Sequence, residues 1–163
     1  QGEAYARKLA EFMREHAIRP PRVWCSTLRR TIQTSRHLPV PALQWSALNE
    51  IDAGACDGMT YDEVREQLPA EFEARSADKL RYRYPRGESY QDVIQRLEPV
   101  IIEAERQREP VLIVAHQAVL RALYAYFMDR DPQDCVHMEI PLHTVIELTP
   151  GPYAFEEQRF KLM

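Results

Sequence analysis

No stretch of the sequence approaches the roughly 20 consecutive apolar residues that a membrane helix requires, so nothing in it is expected to cross a bilayer as a helix. The first residues follow amphipathic helical spacing and do not resemble a secretory signal. Repeats of fixed period and low-complexity tracts are also lacking, which excludes solenoid and linker architectures. Cysteine is sparse: Cys25, Cys56 and Cys135 are odd in number and show no C-x-x-C spacing. Neither a disulfide framework nor a zinc site is expected, and a reducing, cytoplasmic setting fits. There is no excess of positive charge, because 21 Lys and Arg oppose 25 Asp and Glu for a net charge of -4. That balance argues against nucleic acid or an anionic membrane as the main partner, so any anion site must be local. What is there, 163 residues that are 45% hydrophobic and 28% charged, suits one globular domain over residues 1–163.

Apolar spacing through Ala4, Leu9, Phe12, Met13 and Ala17 predicts a helix over 2–18, stopped by Pro20 and Pro21. Residues 23–27 read as a short strand running into a helix over 28–38, with Ser26 and Thr27 suited to its N-cap. A second short strand is expected over 42–45, followed by a long loop over 46–58 rich in Asp, Gly, Asn and Ala. Two short helices, 61–67 and 70–79, are expected on either side of Pro69, and Pro85 and Gly87 return residues 81–88 to loop. Ser89 and Asp92 resemble a capping box for a longer helix bent at Pro99. Residues 111–115 form a continuous apolar run, which fits a strand buried on both faces. A helix over 117–128 follows, then strands over 144–148 and 153–162. This alternation predicts an α/β fold, a doubly wound and mostly parallel sheet flanked by helices, whose ligands meet the carboxyl ends of the strands.

Two strand-to-helix junctions therefore carry the argument, one at Cys25-Ser26-Thr27-Leu28-Arg29-Arg30 and one at Ala115-His116-Gln117-Ala118-Val119-Leu120-Arg121. Each joins helix N–H groups to an arginine, a pairing suited to a phosphoryl group. Arg30 is assigned to the site, with Arg29 read as solvated. His16, His37, His137 and His143 have surface or loop settings. His116 differs, because it ends a strand and precedes a helix; the residues alone allow it to be a general acid, a phosphate ligand or a nucleophile. Between residues 75 and 86, Arg75, Lys79, Arg81, Arg83 and Arg86 face Asp78 alone, with Tyr82, Tyr84 and Tyr90 nearby. The run is too short for a nucleic-acid stripe, and a second phosphate pocket is the simpler functional reading. Glu50, in the long loop, is placed to exchange a proton with an ester oxygen or with water if it lies near one. No Asp, Glu and His cluster has metal-ligand spacing, so neither metal nor other cofactor is expected.

The strings Arg29-Arg30-Thr31-Ile32-Gln33-Thr34, Leu48-Asn49-Glu50-Ile51-Asp52-Ala53-Gly54, Arg81-Tyr82-Arg83-Tyr84-Pro85-Arg86-Gly87-Glu88-Ser89-Tyr90 and His116-Gln117-Ala118-Val119-Leu120-Arg121 occur in this order. Together they resemble the fructose-2,6-bisphosphatase domain of the bifunctional 6-phosphofructo-2-kinase/fructose-2,6-bisphosphatase family, within the phosphoglycerate mutase-like histidine phosphatases. Gly2, Tyr5, Ala6, Leu9, Ala10 and Phe12 match the family's helix after its nucleophile loop, so the resemblance covers nearly the whole chain.

That resemblance implies hydrolysis of the 2-phosphate of fructose 2,6-bisphosphate through a phosphohistidine, in the control of glycolysis and gluconeogenesis. It implies catalytic roles for Arg30 on the phosphoryl, Glu50 as acid and base, and His116 as a donor to the phosphoryl. It implies that Tyr61, Arg75, Lys79, Tyr90, Gln117 and Arg121 hold the sugar and its other phosphate, with no metal. The partner is then a sugar bisphosphate, and an N-terminal 6-phosphofructo-2-kinase domain is expected in the parent protein. The family's first strand ends in Arg-His-Gly, and no such tripeptide occurs here. The expectation is a domain that is incomplete at its N-terminus and lacks that first strand with its nucleophilic histidine. A phosphoglycerate mutase, a broad sugar phosphatase and a noncatalytic phosphate-ester binding module are the alternatives.

Overall fold

A computed structural model describes residues 1–17 and 19–163. Helix α1 spans Gly2–His16 and buries Ala6, Leu9 and Ala10; Ile18, the last residue of the expected helix, lies outside the described residues. Strand β1, Arg22–Cys25, and helix α2, Arg29–Ser35, follow. Strand β2 is Ala42–Gln44, helix α3 Tyr61–Gln67 and helix α4 Pro69–Ala77. Pro69 begins α4, because a first-turn residue needs no N–H donor. Helices α5, Tyr90–Arg96, and α6, Glu98–Arg106, precede strand β3, Val111–Val114. Helix α7, Gln117–Phe127, short helix α8, Pro132–Cys135, and strands β4, Thr144–Pro150, and β5, Phe155–Lys161, complete the chain.

The sheet is parallel in the order β2-β1-β3, with Cys25 opposite Gln44 on one side and Val114 on the other. Among the described residues, strands β4 and β5 pair only with each other, antiparallel. The β1 and β3 carboxyl ends thus lie side by side, and the chain continues from them into Ser26 and towards His116. Trp24, Leu48, Val93, Leu97, Val100, Val119 and Leu123 form the main core on one side, and Leu9, Ala10, Val23 and Leu38 a second. Truncating Leu97, which is fully buried, is the kind of core change that costs about 2–5 kcal/mol.

Three expectations are corrected. The helix after Ser89 is two helices that meet at Leu97. Pro99 has no N–H to continue α5 but suits the first turn of a new helix, so the chain restarts where a bend was expected. Strand β3 is half-buried along its length, because among the described residues it pairs on one side only. Ser26 and Thr27 do not cap α2, whose N-cap is Leu28; Ser26 Oγ instead accepts from Leu28 N at 3.2 Å. The capping box at Ser89 is present, with Asp92 N donating to Ser89 Oγ at 3.1 Å and Ser89 N donating to Asp92 at 2.8 Å.

Candidate active site

At the β1 and β3 carboxyl ends, His116 is almost wholly buried and its ring is held on both edges. Arg30 Nε donates to Nδ1 at 3.1 Å, and Ser26 Oγ lies 2.8 Å from Nε2. Burial first, then the charges of Arg30 and Arg96, hold the imidazole pKa down at about 4. Glu50 comes to the same place from the loop after β2. Its Oε1 accepts from Ala118 N at 3.2 Å, in the first turn of α7, and from its own neighbour Ile51 N at 3.0 Å. A helix N-terminus favours a carboxylate in that position. Three groups far apart in sequence thus converge on one helix end.

The second cluster lies one helical turn along α7. Arg121 Nη1 donates to Tyr90 Oη at 3.0 Å and its Nε to the Met138 carbonyl at 2.8 Å. Gln117 lies four residues before it, and with its amide oriented to satisfy both ends it accepts from Arg121 at 3.2 Å and donates to the Ile140 carbonyl at 2.9 Å. Lys79 Nζ donates to the Val136 carbonyl at 2.9 Å and stands 5.8 Å from the Tyr90 ring. Burial, then Arg75 and Arg121, lower its pKa to about 8. Arg75 donates to Tyr61 Oη at 3.2 Å and lies over the Tyr61 and Tyr84 rings. Tyr61 itself is largely exposed.

The basic run between residues 75 and 86 is therefore divided. Arg81 pairs with Asp78, and Arg83 makes a two-bond fork with Asp92 at 2.8 and 2.9 Å. Those carboxylates already use the two cations, whereas among the described residues Arg75, Lys79 and Arg121 have no carboxylate among their hydrogen-bond partners. Cations gathered in this way favour an anion, since Arg75 and Arg121 disfavour the charged form of Lys79 when none is bound.

Sequence reasoning missed the frame that holds Glu50. Arg96, from α5, donates to the carbonyls of Ala47, Asn49 and Glu50 and forms an ion pair with Glu88 at 2.8 Å. Glu88 Oε2 accepts from Asp52 N at 2.9 Å, and Glu88 N donates to Asp52 O at 2.8 Å. Asn49 Oδ1 accepts from Thr27 N and Thr27 Oγ1, both at 2.9 Å. The string Gly87-Glu88-Ser89 and the later Arg96 were visible, but nothing local says that they grip a loop 36 to 49 positions earlier.

Two glycines let the loops touch. Gly54 has φ +50, and a Cβ there would stand 2.1 Å from the Pro85 carbonyl oxygen; one on Gly87 would stand 2.3 Å from that of Asp52. Gly54→Ala is expected to cost roughly 2–4 kcal/mol from left-handed strain and overpacking. Urea denaturation measures it, and a loss below the range for a surface substitution would contradict the contact.

No helix among the described residues is long and apolar enough to cross a membrane. The chain is 56% identical to the Arabidopsis thaliana 6-phosphofructo-2-kinase/fructose-2,6-bisphosphatase, over 99% of this chain and 22% of that protein. It is 55% identical to the Gallus gallus protein of the same name, over 96% of this chain and 33% of that one. It therefore spans between about a fifth and a third of the length of these curated relatives. Among solved structures, Shigella flexneri α-ribazole phosphatase superposes with a TM-score of 0.83 at 21% identity, covering 97% of this chain and 80% of that one. Bacillus stearothermophilus YhfR superposes at 0.76 with 27% identity, covering 94% and 79%. The fold is the α/β fold of the phosphoglycerate mutase-like phosphatases, as the resemblance implied, and its parallel sheet flanked by helices is what the alternation of strands and helices predicted. Residues 1–162 match the Histidine phosphatase superfamily (branch 1), and the chain belongs to that superfamily.

Proposed function

We propose that this chain forms most of a phosphatase domain that hydrolyses the 2-phosphate of fructose 2,6-bisphosphate to fructose 6-phosphate and phosphate. The observation that carries the reading is a pair of anion-handling clusters, Arg30, Glu50 and His116 at the start of α7, and Lys79 with the charges of Arg75 and of Arg121, one turn along that helix. A substrate with two phosphates on one small sugar meets both. Arg30 and His116 take the transferring phosphoryl, and Tyr61, Arg75, Lys79, Tyr90, Gln117 and Arg121 take the sugar and its 6-phosphate. The two bifunctional relatives favour this sugar over a phosphoglycerate or a broad range of esters.

In the reaction, a histidine nitrogen forms a bond to phosphorus as the ester P–O bond breaks, and protonated Glu50 gives its proton to the leaving sugar oxygen. The Glu50 carboxylate then takes a proton from water, which displaces the histidine from phosphorus and releases phosphate. We infer that the nucleophile belongs to an Arg-His-Gly strand of the parent chain that adds to the free edge of β3. The half-buried state of that apolar strand supports this reading. The parent is further inferred to carry a 6-phosphofructo-2-kinase region, as its curated relatives' names state of them, and the scattered, unpaired cysteines suit a cytoplasmic setting.

The full-length protein, incubated with fructose 2,6-bisphosphate without added metal, should release fructose 6-phosphate and one phosphate. Release of the 6-phosphate, or activity lost to a chelator and restored by magnesium, would contradict the reading. Lys79→Ala should raise KM roughly 10- to 100-fold with kcat nearly kept, the loss of one charge-assisted bond made in ground and transition states alike. Because the Lys79 pKa is lowered to about 8, the ammonium that binds phosphate is lost as pH rises through that value. KM should therefore climb above that pH in the wild type and not in Lys79→Ala; a collapse of kcat at constant KM would sink the assignment. Stability runs the other way: the unfolded chain holds the proton to a higher pH, so this group's contribution rises between about 8 and its ordinary value.

A further inference from the structure

Beneath His116 runs a hydroxyl chain that the steps above do not use. Ser26 is fully buried and Thr31 nearly so. Ser26 Oγ lies 2.8 Å from His116 Nε2 and 2.7 Å from Thr31 Oγ1, and it accepts from Leu28 N at 3.2 Å. Thr31 Oγ1 in turn lies 2.9 Å from the Leu28 carbonyl oxygen and 3.2 Å from that of Ser26.

Counting donors places every proton. A guanidinium only donates, so Nδ1, which faces Arg30 Nε at 3.1 Å, presents its lone pair. The single proton of a neutral ring then sits on Nε2 and goes to Ser26 Oγ. That oxygen also accepts from Leu28 N, so its own proton goes to Thr31 Oγ1, which donates to a backbone carbonyl. The chain ends there, on a group that passes no proton on, and every buried member is satisfied. Turning the ring over would set carbon atoms against Arg30 and Ser26 and lose both bonds, so the ring's orientation is fixed as well.

We propose that Ser26, backed by Thr31, is a positioning residue that locks His116 as the Nε2–H tautomer and leaves Nδ1 as the one ring atom able to meet a phosphoryl group. It rests on the proposed reading of this site as the phosphoryl site. A bare lone pair repels a phosphoryl oxygen, so His116 donates only after Nδ1 gains a proton from solvent and Arg30 moves from the imidazole to the phosphoryl. No bond to phosphorus changes in this step; a neutral imidazole becomes an imidazolium paired with an anion. The charged groups around the ring are Arg30 from α2, Arg96 from α5 and the Glu50 carboxylate on Ala118 N. The two arginines oppose protonation in the free site, in line with the lowered pKa, and a bound dianion reverses the local sign. Binding of a phosphoryl group and protonation of His116 are thus one coupled event.

The test is NMR of the full-length protein labelled with 15N-histidine, with inorganic phosphate as the probe. Free protein at neutral pH should show His116 as a single Nε2–H tautomer, and saturating phosphate should convert it to the doubly protonated ring. Ser26→Ala should give a mixture of tautomers and lower kcat roughly 10- to 100-fold, the usual loss when a partner that orients a histidine is removed. Thr31→Val keeps the shape and the Ser26 acceptor, so it should keep the tautomer and lose less activity. An Nδ1–H tautomer in the free wild type, or phosphate that binds while His116 stays singly protonated, overturns the proposal and leaves the phosphatase reading standing. Phosphate that does not bind near His116 at all removes the phosphoryl-site reading, and this proposal with it. If Ser26→Ala loses stability yet keeps both the single tautomer and the wild-type kcat, Ser26 is structural only.

Discussion

Glu50→Gln is expected to lower kcat for fructose 2,6-bisphosphate roughly 10²- to 10⁴-fold, the range for losing a positioned general acid and base, with KM nearly unchanged. The amide keeps the shape of the carboxylate, and its oxygen still accepts from Ala118 N and Ile51 N, the bonds that seat the side chain. The loop should stay in place, because Arg96 grips it through backbone carbonyls that the substitution does not touch. What is lost is the proton for the leaving sugar oxygen. A substrate with a good leaving group, such as an aryl phosphate, should therefore suffer much less in the phosphorylation step. An equal loss on both substrates would count against a proton-transfer role and favour a positional one.

His116→Ala should slow phosphoryl transfer roughly 10²- to 10³-fold, the cost of removing one preorganised donor to developing charge. The ring is held by Arg30 on one edge and by Ser26 on the other, so it costs little reorganisation to reach a phosphoryl oxygen once protonated. Its loss also frees Arg30, which partly compensates by meeting the phosphoryl sooner. Rapid-quench measurement of the first turnover separates this step from phosphate release. A variant as fast as the wild type in that first turnover would remove His116 from the chemistry.

Much of the frame was legible because it is local. The Val111–Val114 run and its following His116, the Tyr61–Gln67 helix and the Ser89 and Asp92 capping box all follow from periodicity and capping chemistry within a few residues. The choice of Arg30 over Arg29 agrees with its bond to His116. The roles of Tyr61, Arg75, Lys79, Tyr90, Gln117 and Arg121 came from family resemblance; the structure links Tyr90, Gln117 and Arg121 by hydrogen bonds at the start of α7, sets Lys79 beside the Tyr90 ring, and pairs Arg75 with Tyr61. Long-range pairing was not legible. Ser26 looked like a helix cap, yet its hydroxyl is used by a histidine 90 positions away. Arg81 and Arg83 were counted with the phosphate cations, yet Asp78 and Asp92 neutralise them. Composition cannot tell a paired arginine from an open one. Nor does a continuous apolar run reveal whether both edges of a strand are paired, and β3 is half-buried for that reason.

The central claim, phosphoryl transfer from the sugar to a histidine at this site, is tested most directly by trapping the phosphoenzyme. The full-length protein and its His116→Ala variant would be quenched after mixing with fructose 2,6-bisphosphate labelled in the 2-phosphate. The account predicts acid-labile, alkali-stable label in both, formed more slowly in the variant, on a histidine outside these 163 residues. Label that maps to His116 and vanishes in His116→Ala would contradict it and make His116 the nucleophile.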